Sequence, residues 1–511
     1  MNFSEMLRSL REECNILFGK VYSYNYQLMK KSEDLSLEGQ YQFDDIFSFY
    51  ISSHAQSWLK NFYYGHWFSP GMMLNSRCIL EGLAIKKMRE KGDITDEHLE
   101  LLQVQVFLIE YNNYKNFSDV FEIFLIPEKL KEDWERTVAF FQEKLASKFD
   151  ADKIKKITKS GNPFLCDDKL SYHKIVERYL GEEYAAWYGV LSQCAHPSSN
   201  FLCGDLSFLP FVLAIWDLVV AEYGELPLNG LTLSSYIEQC TSSIQARRYY
   251  ELIEKQCGIL QGTINVMEKH FPNNYFSNTF QMIITLLREV VLDHLLGLNE
   301  QVKAKWKIML DLLASFHFCY IGSFPRSERY NLLVEHTRFK YAQNVHKEYD
   351  LSKAYDAYRA LYPSGVERER FEKAFSMLVG YTINEKGNVK NLSELVRDFV
   401  KKFEKVGSWS RVMCLDYAES QMISHANGYM WFANSGAWGD VNNILMATDI
   451  SIDLLLQKTH AIFKLHARFE QDKTYKDVIN VLRNASKKLR PVLEEKARLQ
   501  QEPKINYNLN S

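Results

Sequence analysis

Hydrophobic residues recur at helical spacing along most of the chain. In the N-terminal segment Phe3, Met6, Leu7 and Leu10 lie one to four residues apart, and residues 41–64 carry a dense aromatic face. Such spacing puts apolar side chains on one side of an α-helix. The pattern predicts helices at residues 1–35, 41–64, 72–91, 96–116, 127–147, 168–193, 205–223, 234–270, 276–298, 300–320, 327–348, 351–361, 367–383, 391–406, 410–424 and 440–470.

No run of alternating β-branched residues is long enough to seed a β-sheet. Glycine (23) and proline (11) together make up under 7% of the 511 residues, against an average of about 12%. A chain so poor in turn-forming residues is ill suited to the many tight corners of an all-β fold. The sequence therefore predicts an all-α protein.

Two segments of the chain share a spacing of chemical groups. Tyr188 precedes His196 by eight residues, and Tyr417 precedes His425 by the same distance. In each segment a Gly-Asp pair follows, and its aspartate is a natural N-cap for the long apolar helix after it. This agreement predicts a diverged tandem duplication, with chance agreement among short helical patterns as the alternative.

The expected organisation is two related multi-helix bundles followed by a basic helical tail. The stretch GELPLNG at residues 224–230 is the clearest linker signal in the middle of the chain. Four segments are predicted: an N-terminal helix at 1–40, a first bundle at 41–230, a diverged second bundle at 231–470 and the basic tail at 471–511.

Charge and cysteine content favour a soluble protein of a reducing compartment. The net charge of −3 creates no global field for nucleic acid or an anionic membrane. The nine cysteines are odd in number and contain no C-x-x-C pair, as is typical of reduced thiols. The N-terminus lacks a signal-peptide pattern, and Pro210 and Asp217 interrupt the most apolar stretch. We expect a cytoplasmic protein that does not enter a membrane.

A polar cluster is predicted within the first bundle. Arg77 and Glu81 lie four residues apart on one face of a largely apolar helix, where a buried arginine needs a carboxylate partner. Tyr188, Ser192 and His196 also share a helical face. His196 would act as general acid or base and Arg77 would hold a phosphate. The alternatives are a buried network that fixes helix register and a ligand pocket without catalysis.

These residues resemble the motifs of a bacterial all-helical family described as a domain of unknown function. That family pairs an Arg-x3-Glu helix with a Tyr-x3-Leu/Ser-x3-His-Pro segment, and the resemblance covers about residues 45–220. The resemblance implies a helical fold and no specific chemistry. In the second half Asn331, Gln421 and Ala426 stand where the first half has Arg77, Ser192 and Pro197, so the family motif is incomplete there.

A second candidate site lies in another apolar helix. Arg288 and His294 are six residues apart and resemble the Arg-x4-6-His signature of HEPN ribonucleases. The resemblance implies metal-independent RNA cleavage through the 2′-hydroxyl, with His294 as acid and base and Arg288 stabilising the phosphorane charge. The alternative is a helix-end pair of Asp293 and His294 without catalytic function.

An aromatic loop and a basic segment complete the candidate sites. Trp431 and Trp438, near Tyr417 and His425, could stack a planar ligand or bury against the first half. Tyr188, Ser192, Tyr417, His425, Trp431 and Trp438 are accordingly the ligand-binding candidates. The basic residues Lys487, Lys488 and Arg490 could follow a nucleic-acid backbone, with a solvated surface as the alternative.

Three functions from different classes are compatible with these patterns. P-loop, Rossmann, zincin and hydrolase motifs are absent, and no cluster has metal-ligand spacing, so we expect neither metal nor cofactor. The first function is a bacterial sensor or interaction scaffold, in host defence, that binds a protein or small ligand between its halves. The alternative is a HEPN-like RNA-cleaving effector of an abortive-infection, antiviral system, and a small-molecule-modifying enzyme is a third reading. Expected partners are a protein or a second copy of the chain, with RNA for the alternative.

Overall fold

α-Helices make up most of the computed structural model. It describes residues 3–37, 43–67, 69–94, 111, 128–146, 152, 171–194, 209–272, 275–321, 327–344, 347–377, 382–390, 392–401, 441–470 and 473–501. The helices are α1 (Phe3–Leu37), α2 (Phe43–Tyr63), α3 (Pro70–Glu90), α4 (Glu128–Leu145), α5 (Tyr172–Leu180), α6 (Glu182–Cys194), α7 (Leu209–Tyr223), α8 (Leu233–Cys240), α9 (Ile244–His270), α10 (Tyr275–Leu295), α11 (Asn299–Phe316), α12 (Ser327–Asn344), α13 (Ser352–Leu361), α14 (Arg368–Ser376), α15 (Leu392–Lys401), α16 (Val441–Glu470) and α17 (Lys473–Gln501). A π-helical turn (His317–Ile321) follows α11, and strands β1 (Thr382–Ile383) and β2 (Val389–Lys390) pair antiparallel.

Polar caps and glycines set several helix ends. Ser69 accepts a hydrogen bond from a first-turn backbone N–H of α3, and Pro70 occupies the first helical position. Ser243 caps α9 in the same way. Gly181, at φ +111°, separates α5 from α6, and Gly297, at φ +73°, separates α10 from α11. Breaks of this kind divide the helices predicted at 168–193 and 234–270 into two each.

One hydrophobic core connects the N-terminal and C-terminal helices. Its buried side chains run from Cys14 in α1 to Leu489 in α17. Residues 70–85 of α3 and 301–316 of α11 are buried on every side. Both stretches include charged and polar side chains, and buried polar groups need partners inside the protein. A smaller second core surrounds Tyr358 beside the β-hairpin.

The all-α prediction is confirmed, with the short hairpin as the exception. The helix predicted at 367–383 is wrong at its end, because α14 stops at Ser376 and Thr382–Ile383 is a strand. The Asn384 side chain accepts two backbone hydrogen bonds in the turn that follows, and Gly387 has φ +72°. A turn of this kind closes a hairpin.

The tandem duplication and the domain boundaries stay predictions. Buried residues on both sides of 224–230 and of residue 470 belong to the same hydrophobic core. The basic C-terminal segment is helical as expected, and its Leu482 and Leu489 are fully buried in that core. α17 therefore contributes to stability as well as carrying positive charge.

Candidate functional site

The predicted pair of Arg77 and Glu81 forms inside α3. Arg77 Nε lies 3.5 Å from Glu81 Oε1, and both side chains are buried. The Tyr188 hydroxyl of α6 donates to the same oxygen at 2.6 Å. Ser192, one turn further along α6, is partly buried and hydrogen-bonds Tyr188. Four of the five cluster residues are therefore together, and His196 lies outside the described residues.

The surroundings of this pair favour neutral phenols and a charged guanidinium. Burial, and then the negative charge of Glu81, raises the pKa of Tyr172 and of Tyr188 well above the ordinary value. Burial alone would lower the pKa of Arg77, but the attraction of Glu81 outweighs it and the pKa is raised. The arginine charge is thus balanced inside the protein. This arrangement fits a register-fixing network and gives no added sign of catalysis.

Arg288 and His294 contact different neighbours. Arg288 donates from Nε and Nη2 to the Glu254 carboxylate of α9, at 3.0 and 2.9 Å. His294 lines a cavity on the side of α1 and α2. Six residues of α-helix correspond to a rotation of roughly 240° about the axis, so the two side chains leave α10 in different directions. The structure does not bring this predicted catalytic pair into one site.

A buried group of charges that the sequence reasoning missed lies where α2, α10 and α11 meet. This ionic cluster consists of Lys60, Glu289, Asp293 and Lys305, each with 0% of its surface exposed. Asp293 accepts hydrogen bonds from both lysines at 2.5 Å, one on each carboxylate oxygen. Lys305 also lies 3.5 Å from Glu289, and Lys60 donates to the Glu289 carbonyl oxygen at 2.9 Å. Two positive and two negative charges offset one another, which makes their burial tolerable.

The pKa values of the two buried lysines shift in opposite directions. Burial, together with the positive charge of Lys305, outweighs the attraction of Asp293 and lowers the pKa of Lys60 to about 7. For Lys305 burial also favours the neutral amine, but Asp293 and Glu289 outweigh it and raise the pKa. Burial would raise the pKa of Asp293, yet the two ammonium groups hold it below its ordinary value. Lys60 is therefore the side chain of the cluster that loses its proton most easily.

A directed chain of hydrogen bonds joins this cluster to α3. His54 Nδ1 lies 3.0 Å from Asn75 Oδ1, an acceptor, so the hydrogen sits on Nδ1. Asn75 Nδ2 donates to Ser57 Oγ at 2.9 Å, and Ser57 Oγ donates to Asp293 Oδ1 at 2.9 Å. Lys305 donates to the same serine at 2.8 Å. Ser57 thus uses its one donor and both acceptor sites inside the core.

The first turn of α3 leaves room for the cluster only because Gly71 has no side chain. A Cβ atom there would lie 1.8 Å from Glu289 Oε2 and 2.7 Å from Lys305 Cε. The Glu289 carboxylate therefore sits against the N-terminal end of α3, where the helix dipole favours negative charge. Among the described side chains none donates a hydrogen bond to it, so charge and dipole hold it in place.

A signal for the ionic cluster was present in the sequence. Glu289 and Asp293 lie four residues apart in an apolar helix, and Lys305 interrupts another. Charges at such positions indicate buried partners, but the spacing does not identify which residues those partners are. Lys60 and Asp293 are 233 residues apart.

A cavity of about 170 Å³ lies between the N-terminal helices and the turn that joins α10 to α11. We call it the tyrosine cavity, since three tyrosines line it. Its lining is Tyr22, Asn25, Tyr26 and Met29 of α1, Phe49, Ser53 and Gln56 of α2, Tyr236 and Cys240 of α8, and His294, Leu295, Leu296, Gly297, Leu298 and Glu300. The wall is mostly aromatic and apolar, with a few polar groups, as is typical of small-molecule sites. The volume is close to that of a cavity that accommodates benzene, about 150 Å³.

The remaining candidates and comparisons add no further site. Tyr417, His425, Trp431 and Trp438 lie outside the described residues. Within the described ranges no group of three potential metal ligands occurs, and no helix there is long and apolar enough to cross a membrane. Comparison of the chain with protein-family models, curated proteins and solved structures returned no match in any of the three.

Proposed function

We propose that the protein is a helical sensor whose ligand is a small planar molecule bound in the tyrosine cavity. The observation that carries this proposal is the position of the cavity, where α1, α2 and α8 meet the turn between α10 and α11. Tyr22 and Tyr236 lie there with ring centroids 4.5 Å apart. Aromatic faces stack on planar ligands, and the nearby His294 and Glu300 supply polar contacts to a ligand edge.

The cavity is connected to the ionic cluster through the backbone. Leu298 N–H donates to the Asp293 carbonyl oxygen at 2.8 Å, and Gly297 N–H donates to that of His294 at 3.1 Å. Asp293 binds lysines of α2 and α11. A ligand that displaces the turn therefore acts on a residue that holds three helices together. Through this displacement of the turn, the effect of ligand binding would pass to the rest of the molecule and to a protein partner.

The cavity can be tested with simple planar probes. Adenine, cytosine, uracil and phenol at 1 mM are added to the full chain, and the melting temperature is measured. At least one probe is expected to raise it by 1 °C or more, because binding to the folded state alone stabilises it. Tyr26→Ala removes a ring from the cavity and should abolish the shift, whereas Tyr64→Ala, at an exposed tyrosine outside it, should retain it. A shift that survives in Tyr26→Ala would place the ligand elsewhere.

The RNA-cleaving alternative needs a separate experiment. Arg288 is hydrogen-bonded to Glu254 and points away from His294. The pair of Arg288 and His294 therefore does not favour RNA cleavage. Total RNA is compared after induced expression of the wild type and of Arg77→Ala, His196→Ala and His294→Ala. Intact RNA throughout agrees with the sensor. RNA fragmentation that one folded variant abolishes would establish a ribonuclease and locate its site.

A further inference from the structure

A basic groove lies between α16 and α17, away from the tyrosine cavity. Its volume is about 380 Å³, and Arg483, Lys487 and Arg490 of α17 line it opposite His460 of α16. The three cations are spaced four and three residues apart, so they share one helical face. The axial rise from the first to the last is about 10 Å.

The cations of the groove are not neutralised by ion pairs within the described ranges. Arg483, Lys487 and Arg490 form no ion pair there. The carboxylate of Asp453 lies beside the groove and accepts hydrogen bonds from two lining residues, Ser486 and Gln457, at 2.7 Å each. Three cations against one carboxylate leave an excess of positive charge, which favours an anionic ligand.

The imidazole of His460 supplies a second, independent observation. Its Nε2 atom is buried and has no hydrogen-bond partner among the described side chains. Burial, followed by the positive charges of Arg483 and Lys464, lowers the pKa of this imidazole. An anion in the groove would offset the positive charges that disfavour protonation of this imidazole.

We propose that the basic groove binds the phosphate chain of a small ligand, such as the oligophosphate of a nucleotide. Arginine and lysine are the common protein ligands of phosphate, and the groove volume lies in the usual range for small molecules, about 300–1,000 Å³. Among the described residues that line the groove none is Phe, Tyr or Trp, and three of them are cations. Recognition is therefore mainly of the phosphate chain, with little dependence on the nucleobase. This site is distinct from the proposed sensor cavity and does not depend on it.

The test is calorimetric titration of the full chain at constant ionic strength. Sodium tripolyphosphate, ATP, GTP and a 12-nucleotide RNA with a 5′-hydroxyl are the probes. Tripolyphosphate, ATP and GTP should bind within about threefold of one another. Lys487→Gln should weaken all three five- to tenfold, because it removes a charged phosphate contact. The matched control Lys488→Gln changes the neighbouring exposed lysine, which does not line the groove, and should change affinity by less than twofold.

Four outcomes would overturn the proposal. Absence of binding by 1 mM tripolyphosphate would mean that the groove is a solvated face. Equal losses in Lys487→Gln and Lys488→Gln would mean diffuse attraction to the whole helix. ATP binding without tripolyphosphate binding would show base recognition at another place. RNA binding tenfold more strongly than ATP, with the same dependence on Lys487, would assign the groove to a nucleic-acid backbone.

Discussion

The buried imidazole of His54 should make the fold sensitive to mild acid. His54 is 1% exposed and donates from Nδ1 to Asn75 at the end of the hydrogen-bond chain. Burial lowers its pKa from 6.5 to about 4, despite the hydrogen bond to Asn75. A protonated ring would add a positive charge to a core that already contains two lysines. The folded state therefore requires the neutral ring.

The sign and size of the effect follow from proton linkage. Between pH 6.5 and 4 the unfolded chain binds a proton at His54 and the folded chain does not. The free energy of unfolding must then fall as the pH falls through this interval. The difference in pKa corresponds to about 3 kcal/mol. At about 2.1 cal/mol/K per residue, unfolding of the whole chain as one unit would convert this to a loss of about 3 °C in melting temperature.

Scanning calorimetry between pH 7.5 and 4 checks this reasoning. The wild type is compared with His54→Gln, whose amide N–H can replace the bond to Asn75. His54→Gln should lose about 3 °C less than the wild type across the interval. The depressed pKa of Asp293 makes stability fall at still lower pH in both proteins. Equal slopes for wild type and His54→Gln would refute the assignment of the neutral buried ring.

Three substitutions test the buried contacts by thermal unfolding. Asp293→Asn leaves two buried ammonium groups without their shared carboxylate and should cost about 3–5 kcal/mol; a loss below 1 kcal/mol would contradict the ionic cluster. Gly71→Ala should cost about 1–3 kcal/mol through overpacking, whereas Gly258→Ala, in α9 with open space around it, should be neutral or stabilising by up to about 1 kcal/mol. Tyr188→Phe removes one hydrogen-bond donor from the buried Glu81 carboxylate, which keeps its ion pair with Arg77, and should cost about 1–3 kcal/mol. Tyr223→Phe removes a buried hydroxyl with no partner among the described groups and should cost less; equal losses would show that the bond to Glu81 contributes nothing.

The contacts within one helix were predictable from spacing. Arg77 and Glu81 form the expected pair because four residues along a helix return a side chain to the same face. Tyr188 was predicted to share a helical face with Ser192 and His196, but its hydrogen bond to Glu81 could not be inferred from spacing, because it joins α6 to α3. Whether these residues perform chemistry is a separate question, which the RNA experiment addresses.

The HEPN-like pair shows where local spacing was insufficient. Arg288 and His294 lie on the expected helix, yet Glu254 of α9 holds the arginine and His294 faces α1 and α2. Helix rotation and neighbouring helices decide such outcomes. A motif defined only by a six-residue spacing specifies neither the rotation of its helix nor the helices that pack against it.

The sequence by itself determined the helical class, most helix positions and the pairing within α3, because hydrophobic periodicity and turn residues act over a few residues. The tertiary structure alone decided that Lys60 shares Asp293 with Lys305, that Gly71 admits Glu289, and that a cavity opens beside the same turn. These features depend on how helices distant in sequence pack, and a buried charge accepts whichever opposite charge that packing brings within hydrogen-bond distance.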